Sequence, residues 1–179
     1  MHHLKNIFMR YKDQRVGIFV DVQNLYHSAK HLYGSRVNFS ELLKLIIGPR
    51  QLIRAIGYVV KSDISTGESA FFEALEKSGI ELRMKDLQVF AGGAKKADWD
   101  VGMAVDAIRM AKSLDVVVLV TGDGDFIPLV EYLKWGEGKQ VECASFGRSS
   151  SSKLREVVDT FVDLDENSKV LFKTKLSRR

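Results

Sequence analysis

The sequence contains few of the residues that build disulfide frameworks, zinc sites or membrane spans. It has a single cysteine, Cys143, among 179 residues, which excludes an internal disulfide framework and a cysteine-rich zinc site. Its first residues lack the long apolar core of a signal peptide, and no later apolar run approaches the roughly 20 residues of a membrane helix. We therefore expect a soluble, cytoplasmic protein without a membrane segment.

Sequence motifs of several large enzyme classes are also missing. Neither the G-x-G-x-x-G motif of dinucleotide-binding proteins nor the G-x-x-x-x-G-K-[ST] motif of P-loop enzymes follows a predicted strand, and no serine or cysteine triad signature occurs. Dehydrogenases and P-loop enzymes are therefore disfavoured. The formal net charge of +4 is compatible with a polyanionic partner, but this modest excess does not distinguish RNA from DNA.

What the sequence does contain is a regular alternation of apolar strands and amphipathic helices. The clearest strands are the near-continuous apolar runs at 15–21 and 115–120, and further strands are predicted at 52–60, 80–85, 140–146 and 161–164. This alternation predicts an α/β fold with a doubly wound, mostly parallel sheet between two layers of helices. We assign 1–14 to an N-terminal extension, 15–164 to one domain and 165–179 to a basic C-terminal tail.

The helix predicted at 99–112 carries both apolar and charged residues. Its apolar stripe at helical spacing consists of Val101, Ala104, Val105, Ile108 and Ala111. We expect this stripe to face the core, which leaves Asp106 and Arg109 on the opposite face as a solvated ion pair. A role for Asp106 in a functional site is the alternative.

Four aspartates fall at the edge where doubly wound sheets bind ligands, outside the carboxyl ends of the strands. Asp21 ends the first strand, Asp123 and Asp125 follow the strand at 115–120, and Asp100 lies in the first turn of a helix. Carboxylates crowded in this way repel one another unless a cation intervenes, and Mg²⁺ prefers carboxylate oxygen and water. The sequence therefore predicts a metal site capable of phosphodiester hydrolysis through an oriented water.

Structural roles compete with this interpretation at most of these acids. Asp21 and Asp125 each stand where a helix N-cap is expected. Asp100 lies in the first turn of a helix, where its negative charge interacts favourably with the helix dipole. Asp98 is an equally good candidate for the N-cap of the same helix and for a metal ligand. Asp123 has no capping role in the predicted structure, so Asp21 and Asp123 are the firmest predicted members of the site.

Basic and serine-rich loops flank the predicted site and have two interpretations. They either contact the phosphates of a nucleic acid or are ordinary polar surface. Trp99 and Trp135 are more typical of core packing than of base stacking. The candidate nucleic-acid contacts are Lys95, Lys96, Arg148, Ser149 and Lys153.

Three sequence blocks resemble the motifs of NYN-domain proteins, in the LabA-like branch. They are Asp21-Val22-Gln23-Asn24, the segment Lys96-Ala97-Asp98-Trp99-Asp100 that continues to Ala107, and Thr121-Gly122-Asp123-Gly124-Asp125-Phe126, and 152–161 is similar to the closing helix and strand of the family. The resemblance covers 15–164. It implies a PIN-like fold and a ribonuclease dependent on Mg²⁺ or Mn²⁺.

The same resemblance implies roles for individual residues. Asp21, Asp100, Asp123 and Asp125 are the implied metal-site acids, and Asn24 is their polar support. Three further candidates stay without an assigned role: Asp98, Asp106 and Thr121. RNA is the implied substrate or ligand, and the sequence is compatible with a homodimer.

Three functions compete at this point. The first is a metal-dependent endoribonuclease, and the second is a non-catalytic RNA- or protein-binding regulator that keeps the same fold. The third is a haloacid-dehalogenase-like phosphatase, because the loop from Gly122 to Asp125 resembles the acidic loop of that group. The nucleophile motif of those phosphatases has a second aspartate where this sequence has Gln23, which disfavours the third function.

Overall fold

A parallel sheet forms the centre of the molecule. The computed structural model describes residues 10–61, 66–86, 88–89, 95–96 and 99–172. The strands are β1 (Arg15–Asp21), β2 (Gln51–Lys61), β3 (Glu81–Asp86), β4 (Gln88–Val89), β5 (Lys95–Lys96), β6 (Val116–Val120), β7 (Gln140–Ser145) and β8 (Thr160–Asp163). Six of them form one sheet in the order β3-β2-β1-β6-β7-β8, and every neighbouring pair is parallel. Strands β4 and β5 pair separately and antiparallel.

Helices cover both faces of the sheet. They are α1 (Val22–Tyr33), α2 (Phe39–Ile47), α3 (Thr66–Lys77), α4 (Asp100–Ala111), α5 (Ile127–Glu131), which continues as a π-helical turn over Tyr132–Gly136, and α6 (Ser152–Val157). One core contains Leu25, Leu42 and Leu75 from α1 to α3. The other contains Met103 from α4 and Leu154 from α6. The predicted doubly wound, three-layer α/β fold is confirmed, with a main sheet that is entirely parallel.

The two strands at the centre of the sheet explain why the sequence pattern was informative. Strand β6 is buried along its whole length, and β1 is buried from Val16 to Val20. Alternate residues of each strand enter opposite cores, so that Ile18 packs with one set of helices and Phe19 with the other. A strand covered on both faces must be apolar at every position, which produces the continuous runs seen in the sequence.

The expected orientation of α4 is wrong for Val101, Val105 and Ile108, which are exposed. Ala104 and Ala111 lie on the core side as predicted. Val101 is 76% exposed and Val105 is 46% exposed, whereas Asp106 is only 8% exposed and faces the core side. The carboxylate of Asp106 can be buried because it accepts a hydrogen bond of 2.9 Å from the hydroxyl of Tyr58 and lies 3.4 Å from Nε of Arg83. The predicted ion pair with Arg109 is present at 3.9 Å, but at a buried carboxylate.

The segment after β8 packs along the domain. Val170 is buried in the core with α1 and α2, and Leu171 forms a bridge with Val37. The backbone N–H of Asn38 donates to the carbonyl of Val170 at 2.7 Å. Residues 170–172, which lie in the range assigned to a C-terminal tail, are therefore packed against the domain. Within the described residues, no helix combines the length and apolarity needed to cross a bilayer.

Candidate functional site

The candidate site lies where the strand order of the sheet reverses. Strand β1 pairs with β2 on one side and with β6 on the other, so the chain winds away in opposite directions from this point. Asp21 is the last residue of β1, and Thr121 to Asp123 follow directly after β6. In open α/β sheets a crevice forms at this reversal, outside the carboxyl ends of the strands.

Hydrogen bonds accepted by the side chains of Asp21 and Asn24 connect the end of β1 and the first turn of α1 to the turn after β6. Oδ1 of Asp21 accepts from the N–H of Asn24 at 3.0 Å, which makes Asp21 the N-cap of α1. Oδ2 of Asp21 accepts from the hydroxyl of Thr121 at 3.3 Å. Oδ1 of Asn24 accepts from the N–H of Gly122 at 3.0 Å. We call Asp21, Asn24, Thr121 and Gly122 the rim network.

The turn after β6 also uses its first acid as a cap. Oδ1 of Asp123 accepts from the N–H of Asp125 at 2.9 Å, and Asp123 is the N-cap of a 3₁₀ turn over Gly124–Phe126. The prediction that Asp123 has no capping role is therefore wrong. Asp125 does not cap α5, because the 3₁₀ turn intervenes and Phe126 occupies the N-cap position. The carboxylate of Asp125 is exposed.

Three acids come together beside the rim network. Asp100, Asp123 and Asp125 each offer one carboxylate oxygen, and these oxygen atoms lie within 4.8 Å of one another. Asp100 and Asp123 are half-buried. We call these residues the three-acid cluster. Its oxygen-only donor set and its spacing fit a hard divalent cation such as Mg²⁺ or Mn²⁺.

Asp21 lies next to the three-acid cluster but is not one of its members. Burial raises the pKa of Asp21, and the negative charge of Asp123 raises it further. Hydrogen bonds from the N–H of Asn24 and the hydroxyl of Thr121 oppose that rise. Thr121 links the two acids, because its hydroxyl donates to Asp21 and accepts from the N–H of Asp123.

The serine-rich loop after β7 packs directly against the turn after β6. The N–H of Ser151 donates to the carbonyl of Gly122 at 2.9 Å, and Oγ of Ser151 accepts from the N–H of Leu154 to cap α6. A Cβ atom at Gly122 would lie 2.9 Å from Oγ of Ser145 and 3.1 Å from Cα of Ser150. Glycine is therefore required at 122 to let the loop approach the acids.

Comparison with known proteins agrees with this architecture. The NYN domain family model matches residues 15–165. The chain belongs to the NYN domain family. It is 24% identical to the "Low amplitude and bright protein LabA" of Synechococcus elongatus, over 93% of this chain and 92% of that protein. It is also similar to a crystal structure of VPA0982, a protein of unknown function from Vibrio parahaemolyticus, with 30% identity, a TM-score of 0.83, and coverage of 92% of this chain and 100% of that chain. The predicted likeness to the LabA-like branch is confirmed.

The candidate RNA contacts of this NYN domain differ in what their side chains do. The guanidinium of Arg148 lies 4.8 Å from the ring centroid of Tyr33 and its Nε lies 3.5 Å from Oδ1 of Asp165. The hydroxyl of Ser149 donates to Oγ of Ser28 at 3.0 Å. Lys153 is exposed at the beginning of α6. Arg148 and Ser149 are thus held by neighbouring side chains.

The remaining candidates are distributed as follows. Lys95 and Lys96 form β5, whose backbone pairs with β4, and Asp98 lies outside the described residues. Thr121 is fully buried and joins Asp21 to the N–H of Asp123, which donates to Oγ1 of Thr121 at 3.2 Å. Asp106 belongs to the contact between α4 and β2.

Sequence reasoning gave no role to Tyr58 and no capping role to Ser151, although both help to build this region. Tyr58 is in register with Asp21 in the sheet, and its hydroxyl holds Asp106. A signal for this cap was available, since serine is a favoured N-cap and Ser151 lies directly before the first residue of α6.

Proposed function

We propose that this NYN domain is a metal-dependent endoribonuclease that hydrolyses RNA phosphodiester bonds. The observation that carries the proposal is the three-acid cluster at the point where the strand order reverses. Membership in the NYN family supports the same chemistry. RNA as the substrate class is the part of the proposal that rests on the family alone.

The three-acid cluster is the proposed holder of Mg²⁺ or Mn²⁺. A bound ion of this kind lowers the pKa of a water molecule and neutralises charge on the phosphodiester. Asp123 combines the role of ligand with that of a cap, so its carboxylate is fixed by the N–H of Asp125. Asp125, which is exposed, presents its carboxylate to solvent and substrate.

Asp21 and Asn24 complete the proposed site from the side of β1. We assign Asp21 as the fourth metal-site acid, because Thr121 connects its carboxylate to the N–H of Asp123 at the edge of the cluster. Asn24 is the proposed support: its side-chain oxygen holds the N–H of Gly122, which directly precedes Asp123. Through this bond the first turn of α1 restrains the turn that carries two of the acids.

The substrate is proposed to approach along the loops at this rim. Lys153 offers an exposed positive charge for a phosphate, and the serine loop lies against Gly122. Arg148 and Ser149 are assigned to the same surface, as are Lys95 and Lys96 of β5. A phosphate contact by Arg148 would have to share its guanidinium with Asp165.

A cleavage assay tests this proposal. Single-stranded RNA and DNA of one sequence, labelled at one end, are incubated with the protein in Mg²⁺, in Mn²⁺ and in a chelator. We expect metal-dependent internal cleavage of RNA and a fall of at least roughly 100-fold for Asp123→Asn, which corresponds to about 3 kcal/mol of lost transition-state stabilisation. Asparagine keeps an oxygen that can accept the N–H of Asp125, so the turn is preserved.

The matched control is Glu131→Gln, which removes one negative charge from the exposed surface of α5. Equal cleavage by the parent and Asp123→Asn would rule out the proposed site. Tight RNA binding in the chelator without any cleavage would instead favour the non-catalytic regulator. The phosphatase has no further support, because Gln23 stands where its second aspartate is required.

A further inference from the structure

Asp100 differs from the other two acids of the three-acid cluster in how it reaches the site. Asp123 and Asp125 follow directly after β6, a buried central strand. Asp100 is the first residue of α4, a helix that lies on one face of the sheet. Its place in the cluster therefore depends on the contacts that hold the beginning of α4.

Trp99 connects the beginning of α4 to the sheet. Its indole Nε1–H donates to the carbonyl of Val59 in β2 at 2.9 Å, and its ring meets Tyr58 edge-on at a centroid distance of 5.9 Å. The carbonyl of Trp99 accepts from the N–H of Met103 at 2.8 Å. Trp99 thus accepts the first hydrogen bond of α4 and also connects the helix to β2.

The indole also packs against the first turn of α4. A Cβ atom at Gly102 would lie 2.4 Å from Cε3 and 2.7 Å from Cζ3 of Trp99. The ring therefore lies directly on the backbone at Gly102, which limits the positions that the first turn can adopt. Nζ of Lys85 lies 5.6 Å from the centroid of the same ring.

A second contact with β2 fixes α4 further along its axis. The hydroxyl of Tyr58 donates to Asp106, six positions after Asp100 and therefore about 9 Å along the helix. Tyr58 is in register with Asp21. The end of β2 that holds α4 is consequently the end that lies beside the rim network.

We propose that Trp99 is a positioning residue that holds the carboxylate of Asp100 at the three-acid cluster. It acts through the backbone, by fixing the first turn of α4 against Val59 of β2. The inference rests on the proposed metal site and deepens it, since it identifies what keeps the third ligand in place. A tryptophan that merely filled the core would affect folding without a selective effect on metal binding.

The test compares Trp99→Phe with Trp135→Phe, the other tryptophan of the chain, which is 83% exposed. Phenylalanine at 99 retains a ring on Gly102 but removes the N–H that Val59 accepts. Two quantities are measured: the Mn²⁺ dissociation constant by calorimetry, and the hydrogen-exchange rate of the Met103 amide by NMR in a chelator. Tyr58→Phe serves as a comparison, because it removes the hydrogen bond from β2 to Asp106, which lies farther along α4 from Asp100.

We expect Trp99→Phe to raise the Mn²⁺ dissociation constant by roughly 10-fold or more, the usual effect of losing a group that orients a ligand. The Met103 amide should exchange faster in the same variant. Its acceptor is the backbone carbonyl of residue 99, which is held less firmly once the indole no longer bonds to Val59. Trp135→Phe should leave both quantities unchanged. Tyr58→Phe should lower the melting temperature with a smaller change in Mn²⁺ affinity.

Two results would overturn the inference. One is a Trp99→Phe variant that binds Mn²⁺ as tightly as the parent, and the other is equal loss of affinity in Trp99→Phe and Tyr58→Phe at equal loss of melting temperature. If the parent itself binds no Mn²⁺, the proposed metal site fails. The exchange rate then decides the positioning role, and an unchanged rate at Met103 contradicts it.

Discussion

The charge of the three-acid cluster can be reduced by one unit at Asp125, its exposed member. Replacement by asparagine keeps the shape of the side chain and leaves the N–H of residue 125 bonded to Oδ1 of Asp123. The change therefore removes charge and replaces a carboxylate ligand by a neutral, weaker amide oxygen while the turn after β6 stays intact. We expect Asp125→Asn to be more stable than the parent without metal and less stable than the parent with it.

The size of the first effect follows from the separation of the carboxylates. Two unit charges 4.8 Å apart repel by ~0.9 kcal/mol in water and by ~3.5 kcal/mol at an effective dielectric constant of about 20. Because Asp125 is exposed, the value in water is the better guide. Removing the repulsion of Asp125 by Asp100 and Asp123, which salt screens in part, stabilises the folded protein by about 1 kcal/mol. For a chain of this size that raises the melting temperature by about 2–4 °C.

The second effect follows from linkage between binding and folding. A metal present at 100 times its dissociation constant stabilises the parent by about 2.7 kcal/mol. Asp125→Asn offers two carboxylates of the cluster instead of three, so the same metal concentration should stabilise its folded state less. Thermal melting of both proteins in a chelator and in a Mn²⁺ series measures the two effects. The order of the melting temperatures should reverse as Mn²⁺ is added.

Glu131→Gln provides the control for a general effect of net charge, since it removes one exposed negative charge outside the cluster. Whether the melting temperature of Glu131→Gln lies above or below that of the parent should not change when Mn²⁺ is added. If Asp125→Asn melts below the parent in the chelator and gains as much from Mn²⁺ as the parent does, the three acids neither repel one another appreciably nor share an ion. The metal site would then have to be abandoned.

Three further predictions concern the surroundings of the site and the core. Asp115→Asn should lose about 0.5–1 kcal/mol at neutral pH, and urea unfolding at a series of pH values should show the difference vanishing near pH 2. The reason is that Arg15 lowers the pKa of Asp115 from 3.8 to about 2, so this half-exposed ion pair contributes fully above the ordinary pKa and is lost as pH falls through the folded one. Gly102→Ala should lower the melting temperature, because overpacking of the new Cβ against the indole of Trp99 outweighs the ~1 kcal/mol that alanine usually adds to a helix. Cys143, fully buried with its pKa raised to about 12 by burial, should react with a thiol reagent only in denaturant.

Each of these predictions has a simple contrary result. A pH-independent difference for Asp115→Asn would show that the pair with Arg15 contributes nothing to folding. A higher melting temperature for Gly102→Ala would mean that the indole can move away at little cost. Rapid labelling of Cys143 in the native protein would indicate that the strand β7 opens locally without global unfolding.

The parts of the fold that were predictable are those whose sequence pattern has a single physical cause. Strands β1 and β6 are covered on both faces, so their apolar runs admit few other structures. The placement of the acids at one edge followed from the direction of parallel strands. The orientation of α4 was not predictable in this way, because burying Asp106 depends on the hydroxyl of Tyr58, 48 positions away in the sequence. No local pattern contains that partner.

The capping roles of the acids changed places for a similar reason. The sequence offers a cap as the alternative role of Asp125 and none for Asp123, because the predicted helix begins directly after Asp125. A 3₁₀ turn precedes α5 instead, and this shift of the first turn makes Asp123 the cap and frees the carboxylate of Asp125 for the cluster. Helix ends are decided by a few hydrogen bonds, which are too local and too weak for sequence periodicity to locate.

Asp21 shows why a firmly predicted member of the site need not be the best residue for testing the mechanism. Both of its carboxylate oxygens accept hydrogen bonds, one from the N–H of Asn24 and one from the hydroxyl of Thr121. An amide at this position would place an NH₂ group against one of these donors, and Thr121 already accepts the N–H of Asp123. Loss of activity in Asp21→Asn would therefore combine a broken rim network with a lost charge. Asp123→Asn and Asp125→Asn leave that network intact, so activity lost in them is attributable to the cluster itself.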